Sequence, residues 1–249
     1  MFDFNGMLDW KLKAGSHKFP GPDGGTCINE AAVVAAGLEY RRVDSADDLP
    51  NCFSRPIAQF ALRLNDVMPA KLRQKYLMPF ILRLADSADG PAIELQRTQL
   101  IVKRCIQNVF PLIFIDQILC RRCRQANTIG KLVEIIRNVG GTESLMAKSS
   151  ASTILTVLLS SSPVNEGALM RAVDAAVTYV QSAADRANRP TAVFGIAARM
   201  IDEALRIGRQ ADRDDVAAAA LCLSRAKQRE LCTQKTPQTT LQFEPVEKA

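Results

Sequence analysis

From residue 55 to residue 140, apolar side chains recur at intervals of three and four, and each run is cut short by a proline or a glycine. Ile57, Phe60, Ala61 and Leu64 mark one stripe, and AKLRQKYLMPFILRLADS carries another that Pro79 must kink or redirect. GPAIELQRTQLIVKRCIQNVFPLIFIDQILCRRCRQ holds two helical runs with Pro111 near their junction. In GKLVEIIRNVGG, residues 130–141, Leu132, Ile135, Ile136 and Val139 share a face that stops at a glycine pair. A period of three to four is that of a helix with one buried side, and the frequent breaks keep the helices short, so they must pack on one another to be stable. Composition agrees: hydrophobic residues make up 47% of the chain and aromatics only 6%, which suits closely packed aliphatic helices better than a β-sandwich. The expected fold is mainly α, with an irregular N-terminal segment packed on an array of short antiparallel helices and one short extended piece at residues 38–43.

Residues 1–26 interleave Phe2, Phe4, Trp10 and Phe19 with glycines and prolines and read as an irregular wrap. A helix starts near Cys27 and ends at Gly37, the residue type that best tolerates a left-handed C′ position. Ser45 and Asp48 have capping-box spacing, with Pro50 too close behind for a long helix. Beyond residue 128 alanine and serine take over. The chain therefore divides into an N-terminal helical region, 1–128, an alanine-rich helical region, 129–232, and a polar, proline-containing tail, 233–249, expected to be disordered. Residues 191–210 and 214–231 have the length of a helical hairpin.

The 249 residues include 32 Lys and Arg against 26 Asp and Glu, a net charge of +6 that permits an anionic partner. Most of these charges are spread over helices with acids nearby, the pattern of solvated faces. Seven cysteines at irregular spacings, several within apolar runs, suit reduced thiols in a cytoplasm. MFDFNGMLDWKLKAG has acids among its apolar residues and does not read as a signal peptide. The longest apolar run, VFPLIFIDQIL, is interrupted by Pro111 and Asp116, so no membrane span is expected.

Three groups of residues are candidates for function. In GSHKFPGPDGGTCINEAAVVAAG the only histidine precedes a glycine-rich turn into a helix. The amides of a helix N-terminus favour a thiolate, so Cys27 is a candidate nucleophile, with His17 as base and Glu30, one turn on, as orienting or acid group. The same turn, through Gly24, Gly25 and Thr26, with Arg55 nearby, is a candidate anion or ligand site. Alternatively Thr26 or Cys27 simply caps an apolar core helix. The third group is basic: Lys103, Arg104, Arg121, Arg122, Arg124 and Lys131 make a phosphate-contacting patch if their helices lie side by side. Cys120 and Cys123 form a C-x-x-C without a second pair or an H-x-x-x-H, so no metal site and no cofactor is expected.

GTCINEAAVVAAGLEYRRV is similar to the start of the catalytic helix in transglutaminase-like and papain-like cysteine hydrolases, which implies a histidine and an acid downstream of the cysteine. In this chain the only histidine is upstream. More broadly, WKLKAGSHKFPGPDGGTCINEAAVVAAGLEYRRV, LPNCFSRPIAQFALRLND and LRQKYLMPFILRLA together resemble the front half of a bacterial protein family without an assigned activity. There such a block precedes alanine-rich helices and an ending like MIDEALRIGRQAD. That resemblance implies the organisation of the chain and no reaction. The leading functional expectation is protein–protein interaction or regulation through helical surfaces. The alternatives are a cysteine-dependent hydrolase or transferase centred on Cys27, and a basic nucleic-acid-binding module.

Overall fold

The computed structural model describes residues 11–16, 25–140, 145–187 and 190–208. Helices dominate them, and the one sheet among them is a parallel pair of two-residue strands, β1 (Lys11–Leu12) and β2 (Gly25–Thr26), with Lys11 opposite Gly25 and Leu12 opposite Thr26. So short a ladder needs outside support. Buried Arg73 donates to the carbonyls of Leu12, Asn65 and Met68 at 3.1, 2.6 and 2.8 Å, and the Asn65 amide donates to the Lys13 carbonyl at 2.7 Å.

Helix α1 (Ile28–Ala35) follows, buried on nearly every side. It ends as its sequence predicts: Gly37 takes φ +73°, and the amides of Gly37 and Leu38 close back on the carbonyls of Val34 and Val33. Residues 38–43, expected as an extended piece, form no strand. They cross irregularly and are tied to α1 through the Tyr40 hydroxyl and the Val43 amide, both donating to Glu30. The Ser45–Asp48 capping box is present on a single 3-10 turn, Ala46–Asp48.

Helix α2 (Arg55–Val67) begins with Pro56 in its first turn. Ser54 stands at its N-cap but makes no capping bond, because its hydroxyl donates to Glu94 instead. Pro79 redirects the next run as expected, with α3 (Ala70–Leu77) passing through a 3-10 turn, Met78–Phe80, into α4 (Ile81–Leu84). The two runs expected to join near Pro111 do so a few residues beyond it. Helix α5 (Pro91–Arg104) continues through a π turn, Cys105–Val109, into α6 (Phe110–Ile113), so the helix runs past Pro111. Proline lacks an N–H and its ring collides with the carbonyl four residues back. The wider π turn, closed by the Phe110 amide on the Cys105 carbonyl, makes room for it. The break falls at residues 114–116, where Asp116 caps α7 (Gln117–Gln125) by accepting from the amides of Ile118 and Leu119 at 2.8 and 3.2 Å.

The remaining helices are α8 (Ile129–Gly140), α9 (Leu145–Leu159), α10 (Glu166–Arg186) and α11 (Pro190–Leu205). Helix α10 is central and packs against α2, α5, α6, α9 and α11. Its fully buried Ala172, Ala176 and Ala183 let neighbouring helices approach closely, and Tyr179 meets Phe110 with ring centroids 4.5 Å apart. Each large aliphatic or aromatic side chain buried around it, such as Phe60, Ile106 or Phe110, contributes about 1.5–3 kcal/mol. One apolar core extends from Leu12 to Leu205 and crosses the composition boundary at residues 128 and 129. Among the described residues no helix is long and apolar enough to cross a membrane. The expected helix at 214–231 and the tail at 233–249 lie outside the described residues.

Candidate functional site

At the start of α1 the cysteine is a cap. Cys27 has extended backbone angles (φ −77°, ψ 166°), its Sγ accepts from the Glu30 amide at 3.4 Å, and its own amide donates to the Glu30 carboxylate at 2.9 Å. This is a capping box with sulfur in place of the usual hydroxyl. The same carboxylate accepts from the hydroxyls of Ser16, Thr26 and Tyr40 and from the Val43 amide. Among the described residues Glu30 thus gathers five donors from three stretches of chain, and both its oxygens are engaged.

Burial, with the negative charge of Glu30 beside it, pushes the Cys27 thiol well above its ordinary pKa. The helix N-terminus would favour a thiolate, but a fully buried sulfur next to a carboxylate loses more than that field returns. His17, the expected base, and Gly24 lie outside the described residues. Gly25 sits in β2 directly under the Lys13 side chain, which occupies the space that a Cβ would take. Arg55 does not join this cluster. Its guanidinium donates to the carbonyls of Ala46 and Leu49 and to Asn51, because the 3-10 turn at its own helix N-terminus presents those acceptors first.

A second buried polar group went unread in the sequence. Arg97 is fully buried and donates to Glu94 at 2.9 Å, to the Ser87 carbonyl at 2.6 Å and to the Ile207 carbonyl at 2.8 Å. Glu94 also accepts from the Ser54 hydroxyl and the Asp89 amide. Burial raises the Glu94 pKa, against the opposing pull of Arg97. In sequence this i,i+3 pair looks like any solvated helix face. In the fold it ties together the starts of α2 and α5 and the end of α11.

Two of the six basic candidates are held in ion pairs. Arg104 pairs with Glu203, and Arg122 pairs with Glu134. Lys131 reaches Asn127 at 3.4 Å and lines a small recess with Arg122 and Glu134. Lys103 is half-buried on α5, and Arg121 is exposed on α7. Arg124 lines an open recess of about 350 Å³ with Gln107, Asn108, Pro111, Leu112, Ile196 and Arg199, and Gln107 accepts from Arg104 at 3.2 Å. Among the described residues no carboxylate lies within ion-pair reach of Arg124 or Arg199. Arg199 comes from α11, some 75 residues from Arg124, and no local spacing signals it.

Beside that recess, the turn between α6 and α7 and the helix ends that flank it carry three exposed large apolar side chains, among them the two most exposed of the described residues. Ile115 is 94% exposed, Ile118 72% and Leu112 42%. On α7 the buried stripe is Cys120 and Cys123, about 200° and 140° around the helix from Ile118, so Ile118 must face outward. The turn is held firmly from below. The Cys120 thiol donates to the carbonyls of Phe114 and Pro111 at 3.3 and 3.5 Å, and Arg186 donates to the Ile113 carbonyl at 2.9 Å. Cys123, buried beside Cys120, has its thiol pKa pushed up to about 11. The C-x-x-C pair is therefore inward-facing packing that fixes an outward-facing corner. A further groove between α5, α8 and α9, of about 380 Å³, is lined by Leu95, Ile129, Leu158 and Leu159 and has no charged residue.

No family model matches the chain, and no curated protein and no solved structure is significantly similar to it.

Proposed function

We propose that the protein acts by binding another protein, and that the corner between α6 and α7 is its contact surface. One observation carries the reading: Ile115 and Ile118 stand almost wholly in solvent on a corner whose backbone carbonyls are pinned by Cys120 and Arg186. Singly exposed isoleucines are ordinary, but two of them with Leu112 on a rigid turn, bordered by Arg121 and Arg124, have the make-up of an interface. A rigid corner also loses little conformational freedom on association. The buried, protonated state of Cys27 supports a structural part for the Cys27–Glu30 cluster over cysteine chemistry. The thiols of Cys27, Cys105, Cys120 and Cys123 form no disulfide and are buried, as suits a reducing cytoplasm.

A photo-crosslinking side chain at position 118, compared with one at exposed Ser152 on α9, tests the surface. The expected result is a discrete protein adduct at 118 alone, abolished by Ile115→Ser and kept in Cys27→Ala. Equal, diffuse crosslinking at both positions rules the surface out.

A further inference from the structure

The recess beside the corner joins two features that no contact among the described residues accounts for: a pair of arginines without carboxylate partners, and an apolar rim continuous with the exposed isoleucines. Arg124 of α7 and Arg199 of α11 line one concavity with the exposed amide of Asn108, while Pro111, Leu112 and Ile196 supply its apolar wall. Leu112 belongs to both the recess and the corner, three residues before Ile115. Several other arginines are held by carboxylates: Arg63 pairs with Asp174, Arg83 with Asp202, Arg104 with Glu203, and Arg122 with Glu134.

We propose that this recess is a carboxylate pocket, and that the partner is an acidic amphipathic protein segment. Its Asp or Glu side chain sits between Arg124 and Arg199, and its apolar side chains cover Leu112, Ile115 and Ile118. This rests on the corner being the contact surface. Guanidinium forks match carboxylates in two-point geometry, and Asn108 can donate to whichever oxygen is left over. The apolar rim then lowers the local dielectric around the ion pairs once it is covered, which strengthens them.

Charge and shape favour this occupant over three others. A nucleic acid would satisfy the arginines through phosphates but leave Ile115 and Ile118 uncovered, and the rim offers no exposed aromatic ring for base stacking. An anionic bilayer would have to accept Asp116, exposed between the two isoleucines, into its apolar boundary, and would not fill a concave pocket. A second copy meeting through the same surface would set Arg121, Arg124 and Arg199 against their own counterparts.

A display library of random peptides about 15 residues long, four helical turns, selected on the whole chain tests the pocket. The expected winners combine Asp or Glu with Leu, Ile or Phe at helical spacing. Their affinity should fall about tenfold or more in the Arg124→Gln/Arg199→Gln double variant, and should fall with added salt. Both arginines are exposed, so circular dichroism and the unfolding midpoint of that variant should match the parent. Winners without acids, or winners that bind the double variant as tightly, overturn the pocket. If those same peptides still lose affinity in Ile115→Ser/Ile118→Ser, the contact surface stands without it. Insensitivity to both double variants, or no enrichment at all, removes the surface reading as well. Three further results also overturn the proposal: tight binding of a 20-nucleotide single-stranded RNA that the arginine variant loses and the peptides compete, sedimentation with phosphatidylserine vesicles that depends on Ile115 and Ile118, and self-association abolished by the isoleucine variant.

Discussion

The start of α1 and the α6–α7 corner use similar residue types to opposite ends. Each has a cysteine and a capping-motif acid in or next to the first turn of a helix. At α1 every group turns inward: the Glu30 carboxylate fills with five donors, and the Cys27 sulfur is sealed beneath it. At the corner the cysteines also turn inward, but only to brace the turn, and the isoleucines and arginines face solvent. Polar residues crowded in sequence therefore say little about where chemistry or binding takes place. What separates the two regions is whether their hydrogen-bonding capacity is already met within the chain.

The largest expected effect follows from that closure. Glu30→Ala strands buried donors at once and should cost about 4 kcal/mol or more of stability in urea unfolding, with Glu30→Gln costing less because one acceptor oxygen survives. A loss under about 1 kcal/mol for the alanine variant would show that the cluster is not a fastening. Next in size is thiol reactivity. Cys27 and Cys105, both fully buried with raised pKa values, should react with iodoacetamide near neutral pH at least about 100-fold more slowly than in urea. Selective fast labelling of Cys27 in the native protein would reverse the contrast and reinstate it as a nucleophile.

A third expectation concerns pH. Glu94 has a folded pKa above its ordinary value of 4.5, so its contribution favours the folded state below that value and is lost as pH rises through the folded pKa. The stability difference between the parent and Glu94→Gln should accordingly shift against the parent as the pH is raised from 4 toward neutrality. A difference independent of pH would mean that Arg97 compensates the burial fully. The smallest effect belongs to the corner: Ile115→Ser/Ile118→Ser should change stability by no more than about 0.5 kcal/mol, since neither side chain is packed. A loss of about 2 kcal/mol would show that these residues serve the core.

Local features were legible in the sequence because they depend on neighbours a few residues apart. The Gly37 terminator, the Ser45–Asp48 box, the Pro79 redirection and the pairing of Cys27 with Glu30 all follow from i,i+3 and i,i+4 geometry. Features that arise from tertiary closure were not legible. Nothing near Glu30 announces Ser16, Tyr40 or Val43 as donors, and Arg55 found acceptors in its own turn rather than at the glycine loop. Ile115 and Ile118 lie in an apolar run whose sequence does not separate core from surface, and only the cap at Asp116 and the phase set by Cys120 and Cys123 turn them outward. Arg199 enters the recess only through the packing of α11 against the helix that holds the π turn.

That π turn has a consequence for how the surface could diversify. One extra residue in a helical turn rotates everything after it by about 100° relative to a regular α-helix. The count of residues between Cys105 and Val109 therefore works as an angular setting for Pro111, Leu112 and the corner beyond, independent of which side chains they carry. Removing a single residue there would swing Leu112 away from Arg124 and Arg199 while leaving all three in the sequence. Partner choice at such a surface can change through the length of the chain with its binding residues intact.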